Sequence, residues 1–265
     1  PNRKSAWERL VARKDYASIL ITGASSGIGR ALALNYASPG VRLVLSGRDE
    51  GRLQAAADGC RSLGAEVTMH IIDVRDKEAM NAWMTEADDV LPLDLIIANA
   101  GVSTNTIGGG GGDDAARLIA AINIDGTLNT VAPLVDRMTE RRQGQIAIMS
   151  SMAAFHGMPG APAYGASKAW CKSYGEGLRG RLRRHNVGVS VICPGFVESR
   201  ITAGNRFPMP LFMKAPKAAR IIRRGLAKNR SRIAFPLTLY VLAWLLSILP
   251  PGWTDPLFAK MPDKE

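Results

Sequence analysis

The 265-residue chain is expected to fold as an α/β domain: a doubly wound, mostly parallel seven-stranded sheet with helices on both faces. Three observations predict it. Strand-like apolar runs alternate with amphipathic, helix-like stretches. The runs read as strands buried on both faces, the mark of a parallel sheet covered by crossover helices. And the first run passes through a turn holding three glycines into an alanine- and leucine-rich segment, which is how a strand turns into a helix beneath a bulky ligand.

In chain order, SILITG (18–23) is the first strand, and its turn carries Gly23, Gly27 and Gly29. Glycine permits positive φ and leaves no Cβ in the way of an approaching group. The helix behind the turn offers unpaired N–H groups and a positive dipole end to an anion such as a pyrophosphate. The second strand, VRLVLSG (41–47), leads to the helical GRLQAAADGCRSLG, and the third, EVTMHIIDV (66–74), to DKEAMNAWMTEADDVL. The fourth is LDLIIANAG (93–101); GGGGG at 108–112 is a loop before a helix starting near Asp113. GQIAIMSS (144–151) sets Ser151 at a strand end, where ligands of such sheets bind. VGVSVICPG (187–195) and RIAFP (232–236) complete the seven. No repeat or linker interrupts the pattern. A single domain is expected over 1–236, with an apolar helix and tail over 237–265.

Composition narrows the function classes. Cys60, Cys171 and Cys193 form neither a disulfide framework nor a metal-ligand pair, so reduced thiols and no metal are expected. The opening PNRKSAWERLVARKD is basic and lacks the apolar run of a secretory signal. The expected location is therefore cytoplasmic, or peripheral on the inner face of a membrane. Net charge is +11, and between Glu198 and Asp255 ten Lys and Arg stand with no acidic residue. Such a run is either a solvated face or a surface for an anionic partner. No nucleic-acid-binding module accompanies it, so lipid is the preferred anion.

TGASSGIG (22–29), NAG (99–101), Asn123 in NIDG, Ser151, and Tyr164 with Lys168 in YGASK stand in the order and spacing of one motif set. Over about residues 17–200 the chain resembles the short-chain dehydrogenase/reductase family. The resemblance implies a Rossmann-type fold and hydride transfer between a nicotinamide cofactor and a carbonyl or secondary alcohol. It implies cofactor contacts at Gly23, Ser25, Ser26, Gly27, Ile28 and Gly29 of the turn. Asp73 and Val74 would flank the adenine, while Asn99, Ala100 and Gly101 would lie beneath the adenosine ribose. Pro194, Gly195 and Val197 would stand beside the nicotinamide, with Tyr164 and Lys168 also touching the cofactor. The family's serine stands thirteen positions before its tyrosine, which selects Ser151 over Ser150. Asn123 would hold a bend and a water linked to the lysine.

The residue chemistry agrees. Reduction of a carbonyl needs a proton delivered to its oxygen and stabilisation of the charge developing there. A tyrosine, with an ordinary pKa near 10, needs a cation to favour its phenolate. Lys168 stands at i+4 from Tyr164, on the same helix face. Ser151 offers a hydroxyl to the substrate oxygen. Asn123, after the apolar run LIAAI, is a poor residue for a helix interior on propensity alone.

The second strand ends in Ser46 and Gly47, where an NAD enzyme usually places a carboxylate, and Arg48 comes next. A guanidinium suits a 2′-phosphate, so NADP(H) is expected over NAD(H), with Arg30 as a helper. Asp49 and Glu50 fall past the strand and should begin a helix. Substrate walls are expected from 102–106, 152–162 and 196–215, which carry Met152, Phe155, Met158, Phe196, Phe207, Met209, Leu211, Phe212 and Met213. They favour a hydrophobic or lipid-like substrate. A sugar or polysaccharide precursor, and a cofactor-sensing protein without turnover, are the alternatives; His156 is expected to be a polar loop residue. Leu237 to Leu249 carry no charge, and thirteen residues are too few to span a bilayer. They form either a packing surface, in the domain or in a homo-dimer or homo-tetramer, or a helix lying in a membrane interface.

Overall fold

In the computed structural model, which describes residues 16–107, 112–205 and 208–258, seven strands form one all-parallel sheet. They are β1 (Ser18–Ile21), β2 (Arg42–Gly47), β3 (Glu66–Ile71), β4 (Leu95–Ala98), β5 (Gln145–Met149), β6 (Gly188–Pro194) and β7 (Arg232–Phe235), in the order 3-2-1-4-5-6-7. Helices α1 (Gly27–Tyr36), α2 (Glu50–Arg61), α3 (Lys77–Val90), α4 (Asp113–Ala120), α5 (Gly126–Glu140) and α6 (Pro162–Leu182) connect the first six strands. The short α7 (Arg200–Ala203) and then α8 (Ala215–Ala227) lead into β7, and α9 (Leu237–Ser247) and α10 (Pro251–Phe258) come after it. This is the doubly wound fold expected from the sequence. The order reverses between β1 and β4, which pair directly, so a crevice opens at their carboxyl ends.

Two-residue periodicity divides the core. Ile19, Ile21, Leu43, Leu45 and Ile97 face one helical layer, with α1, α2 and α8. Leu20, Val44, Ile96, Ile146 and Ile148 face the other, with α3, α5 and α6. Asp49 and Asp76 start α2 and α3 by accepting hydrogen bonds from the amides of Arg52 and Ala79, each at 2.9 Å. Asp49 is thus a helix cap, as expected from its place past the strand.

Two expectations need correction. Not all seven strands are buried on both faces: β3 is the sheet edge and exposes Glu66, Thr68, His70 and Ile71. Among the described residues no further strand pairs with it, and His70 stacks on Trp83, with ring centres 5.6 Å apart. The strands are also shorter than their apolar runs. Ser151 stands two residues beyond β5, and Asn99 to Gly101 lie past β4, because the backbone leaves the ladder where it turns to line the crevice.

Helix continues from Asp113 to Glu140 through a π-helical turn at Ala121–Asp125. By length and composition alone it could cross a membrane, yet half of its apolar window is buried against the sheet. It is a core helix. Residues 1–15, most of the glycine run, Phe207 and the last seven residues lie outside those described.

Candidate active site

A cleft of about 460 Å³ lies at the carboxyl ends of the strands. Its first wall is the turn after β1. Gly23 and Gly27 have φ of +67° and +52°, conformations that side chains rarely adopt. A Cβ on Gly23 would stand 2.9 Å from Ala100 Cα, so the turns after β1 and β4 touch backbone to backbone. Asn99 fastens them: its side-chain amide donates to the carbonyls of Thr22 (2.9 Å) and Gly23 (3.2 Å). Ser26 begins α1 without a side-chain cap, which leaves first-turn amides for an anion. Ser25 and Ile28 also line the cleft. Gly29 does not. It is buried under the turn, where a Cβ would lie 2.3 Å from Gly23 O, so it enables close packing rather than contact.

At the end of β2, Ser46, Gly47, Arg48 and Arg52 line the cleft. The Asp49 carboxylate is occupied by the Arg52 amide and guanidinium, at 2.9 and 2.8 Å. Arg48 reaches over the cleft with its guanidinium 4.0 Å from the Asp73 carboxylate. Hydrogen bonds from Arg75 hold the Asp73 carboxyl below the usual carboxylate range. Val74 lines the same end and packs against Gly126, where a Cβ would be 2.5 Å from its Cγ2. Arg30 is not among the lining residues.

The opposite end holds Ser151, Tyr164 and Lys168. Lys168 is buried; its ammonium donates to Met149 O at 3.0 Å and lies 5.9 Å from the centre of the Tyr164 ring. The neighbouring Ser150 is turned away, its hydroxyl donating to Lys168 O at 2.7 Å. Ser151 Oγ accepts from Ala153 N at 3.1 Å, which orients the hydroxyl at the start of a short 3₁₀ turn.

Asn123 does not line the cleft. It is fully buried behind Gly101, on the π-helical turn. Its Oδ1 accepts from Val102 N (2.8 Å), and its Nδ2 donates to Val102 O (3.0 Å) and Ser167 Oγ (2.9 Å). Ser167 in turn donates to Tyr164 O at 2.8 Å. A Cβ on Gly101 would sit 3.1 Å from Asn123 Oδ1 and 3.2 Å from Lys168 Nζ. Gly101, Asn123 and Lys168 therefore converge on one point.

Pro194, Gly195 and Val197 line the cleft as expected. The segment after them, expected within a substrate wall over 196–215, lines the cleft beside the glycine turn. Ser199 and Thr202 form a reciprocal capping box on α7, and the chain from Ser199 to Thr202 folds over the glycine turn. A Cβ on Gly27 would meet Ser199 Cβ at 3.0 Å. The S-x-x-T spacing after the PG pair is a local signal for that box. Val102 and Thr106, from the expected wall at 102–106, line the cleft, as do Ile122 and Met149, which the sequence did not single out.

None of the expected wall side chains among the described residues, Met152, Phe155, Met158, Phe196, Met209, Leu211, Phe212 and Met213, lines this cleft, and two of them are core. Met213 is buried where its amide donates to Phe196 O (2.9 Å). Phe155 is buried edge-on to Tyr240. His156 is held on α10, its Nε2 2.8 Å from Thr254 Oγ1. Leu211 and Phe212 are exposed, and Phe207 lies outside the described residues.

The model of the family described as short chain dehydrogenase matches residues 17–208. The chain is 37% identical over 256 residues to an oxidoreductase of Myxococcus xanthus described as uncharacterized, with 94% of this chain and 97% of that one covered. Among solved structures, a short chain dehydrogenase/reductase from Burkholderia phymatum in complex with NAD matches with a TM-score of 0.78 at 25% identity, covering 94% and 97% of the two chains. A short-chain dehydrogenase from Sphingobium yanoikuyae in complex with NADPH matches at 0.74 and 23%, again over 94% and 97%, a likeness of fold. The family match spans most of the chain, and the fold it implies is the fold observed. The protein belongs to the short-chain dehydrogenase/reductase family of oxidoreductases.

Proposed function

We propose that the protein is an NADP(H)-dependent reductase or dehydrogenase acting on the carbonyl or secondary alcohol of a hydrophobic substrate. One observation carries the reading: the glycine turn and the pair Tyr164 and Lys168 are opposite ends of the same cleft. The residues present fit a dinucleotide. Gly23 and Gly27 line the cleft at the turn, and the uncapped first-turn amides of α1 begin there.

When bound, the nicotinamide supplies or accepts the hydride. The chain's own residues manage the proton. In the reducing direction the Tyr164 hydroxyl gives its proton to the substrate oxygen, while the Ser151 hydroxyl donates a hydrogen bond to that oxygen as charge develops on it. The Lys168 ammonium, pinned to Met149 O, stabilises the resulting phenolate. Asn123 acts through others: it fixes Val102 beside Gly101 and Ser167 beside Lys168.

Support for NADP(H) comes from the end of β2. Asp49 also lines the cleft there, but its carboxylate is engaged by the Arg52 amide and guanidinium, whereas the Arg48 fork reaches the cleft. Support for an apolar substrate comes from Val102, Ile122, Met149 and Ile201 in the lining.

The test is NADPH oxidation on a panel of hydrophobic ketones, wild type against Tyr164→Phe. The variant should lose about 10²- to 10⁴-fold in kcat with cofactor affinity nearly unchanged. A variant keeping more than about a tenth of wild-type kcat would end the proton-transfer assignment.

A further inference from the structure

We propose that Lys172, Glu176 and Arg232 form a positioning cluster that acts through Phe155 on the Ser151 hydroxyl, although neither they nor Phe155 line the cleft. Ser151 opens the 3₁₀ turn Met152–Ala154, and Phe155 closes it. Ala153 N donates to Ser151 Oγ at 3.1 Å, Ala154 N to Ser151 O at 3.1 Å and Phe155 N to Met152 O at 3.2 Å. The turn is thus one hydrogen-bonded unit, and Phe155 is its largest buried side chain. Where that ring is seated decides where the serine hydroxyl stands. The inference rests on the role given to Ser151 above.

Three later segments meet at the ring. On α6, Lys172 and Glu176 continue the row of Tyr164 and Lys168 in four-residue steps, each about one turn. The Lys172 ammonium lies 5.4 Å from the centre of the Phe155 ring, and the Arg232 guanidinium of β7 lies at the same distance. Both are within reach of cation–π attraction. Tyr240 of α9 stands edge-on to the ring, with centres 5.6 Å apart. Two like charges at one ring repel each other unless a carboxylate joins them, and Glu176 supplies it. Its Oε1 accepts from Arg232 Nε at 3.0 Å and from Nη2 of the same guanidinium, while its Oε2 is 3.6 Å from Lys172 Nζ. Arg232 also donates to the Tyr240 hydroxyl at 2.9 Å, which ties the edge-on partner to the same cation. The side chains of Lys172, Glu176 and Arg232 are 22%, 36% and 27% exposed, so water screens the cluster only in part. One carboxylate therefore holds two cations and, through them, the ring.

The experiment is steady-state NADPH oxidation with the ketone turned over fastest, together with NADPH dissociation constants. The variants are Glu176→Gln, Phe155→Leu and Ser151→Ala, and each of the first two combined with Ser151→Ala. Glu176→Gln keeps the shape and removes the charge; Phe155→Leu keeps an apolar side chain and removes the ring. Each should lower kcat about tenfold, the cost of a displacement well under 1 Å, and leave NADPH affinity unchanged. Neither should lower kcat further in the Ser151→Ala background, where no hydroxyl is left to position. Losses that multiply in that background overturn the proposal, as does wild-type kcat in both single variants or an equal loss of NADPH affinity. Ser151→Ala with wild-type kcat removes the role of the serine itself, and that of the cluster with it. Crystal structures of the wild type and Glu176→Gln read the geometry without turnover. The hydrogen bond from Ala153 N to Ser151 Oγ should be lost in the variant, and its retention overturns the proposal.

Discussion

Replacing Asn123 by alanine tests the architecture behind the cleft. The side chain is fully buried and makes three hydrogen bonds of 2.8 to 3.0 Å, two to the backbone of Val102 and one to Ser167. Truncation leaves a buried N–H, a buried C=O and a hydroxyl to find new partners. A buried polar group left without a partner costs about 1–3 kcal/mol. The Ser167 hydroxyl keeps its bond to Tyr164 O, so most of the loss falls on Val102, and the total is about 3 kcal/mol. In a chain of this size that lowers Tm by roughly 6–12 °C. Activity should fall as well, because Gly101 and Lys168 converge on the same side chain. At least a tenfold drop in kcat is expected from a displacement well under 1 Å. Thermal melts and steady-state kinetics on Asn123→Ala and Asn123→Leu make the assay. Leucine restores volume but pairs none of the three groups, so it should be no better than alanine. A leucine variant with wild-type Tm and kcat would refute the argument, since packing and not hydrogen bonding would then be the anchor.

Two other sites give measurable outcomes. Arg48→Ala should weaken NADPH by about 1.5 kcal/mol, roughly tenfold, the low end for a charged hydrogen bond because the side chain is half exposed; NADH should change little, and dissociation constants for both cofactors check it. Asp88 is a buried carboxylate receiving Arg137 (2.8 Å), Arg141 (2.7 Å) and Leu93 N (2.9 Å). Burial opposes its ionisation, but those hydrogen bonds win and hold its carboxyl below the usual range. Its folded value is depressed, so the stabilisation is present above the unfolded carboxylate value, near pH 4, and fades as pH falls through the folded one. Asp88→Ala should cost about 2–3 kcal/mol near neutrality. Urea denaturation should show the gap to wild type closing only in acid.

Much of the fold was legible in the chain because its determinants are local. A period of two along a strand and 3.6 along a helix decide which side chains share a face. The right-handed crossover then leaves few ways to lay parallel strands beside one another. Positive φ at Gly23 and Gly27 is written in residue type, and so are the caps at Asp49 and Asp76. Tyr164 and Lys168 share a face because four residues make about one turn.

What periodicity leaves open is set by contacts between segments far apart in sequence. Burial cannot be read from apolarity alone: Met213 and Phe155 looked like substrate walls and are core, while α9, more apolar than most of the core helices, has no buried residue. Gly29 resembles Gly27 in sequence, yet one packs beneath the turn and the other faces Ser199, because the approach of Asn99 and of the loop after β6 differs at the two positions. Asn123 reaches Val102 and Ser167 from twenty-one and forty-four residues away. A single sequence names these groups without distances. Only the folded sheet, with β4 laid between β1 and β5, brings their polar atoms within 3 Å of one another and leaves them no water to choose instead.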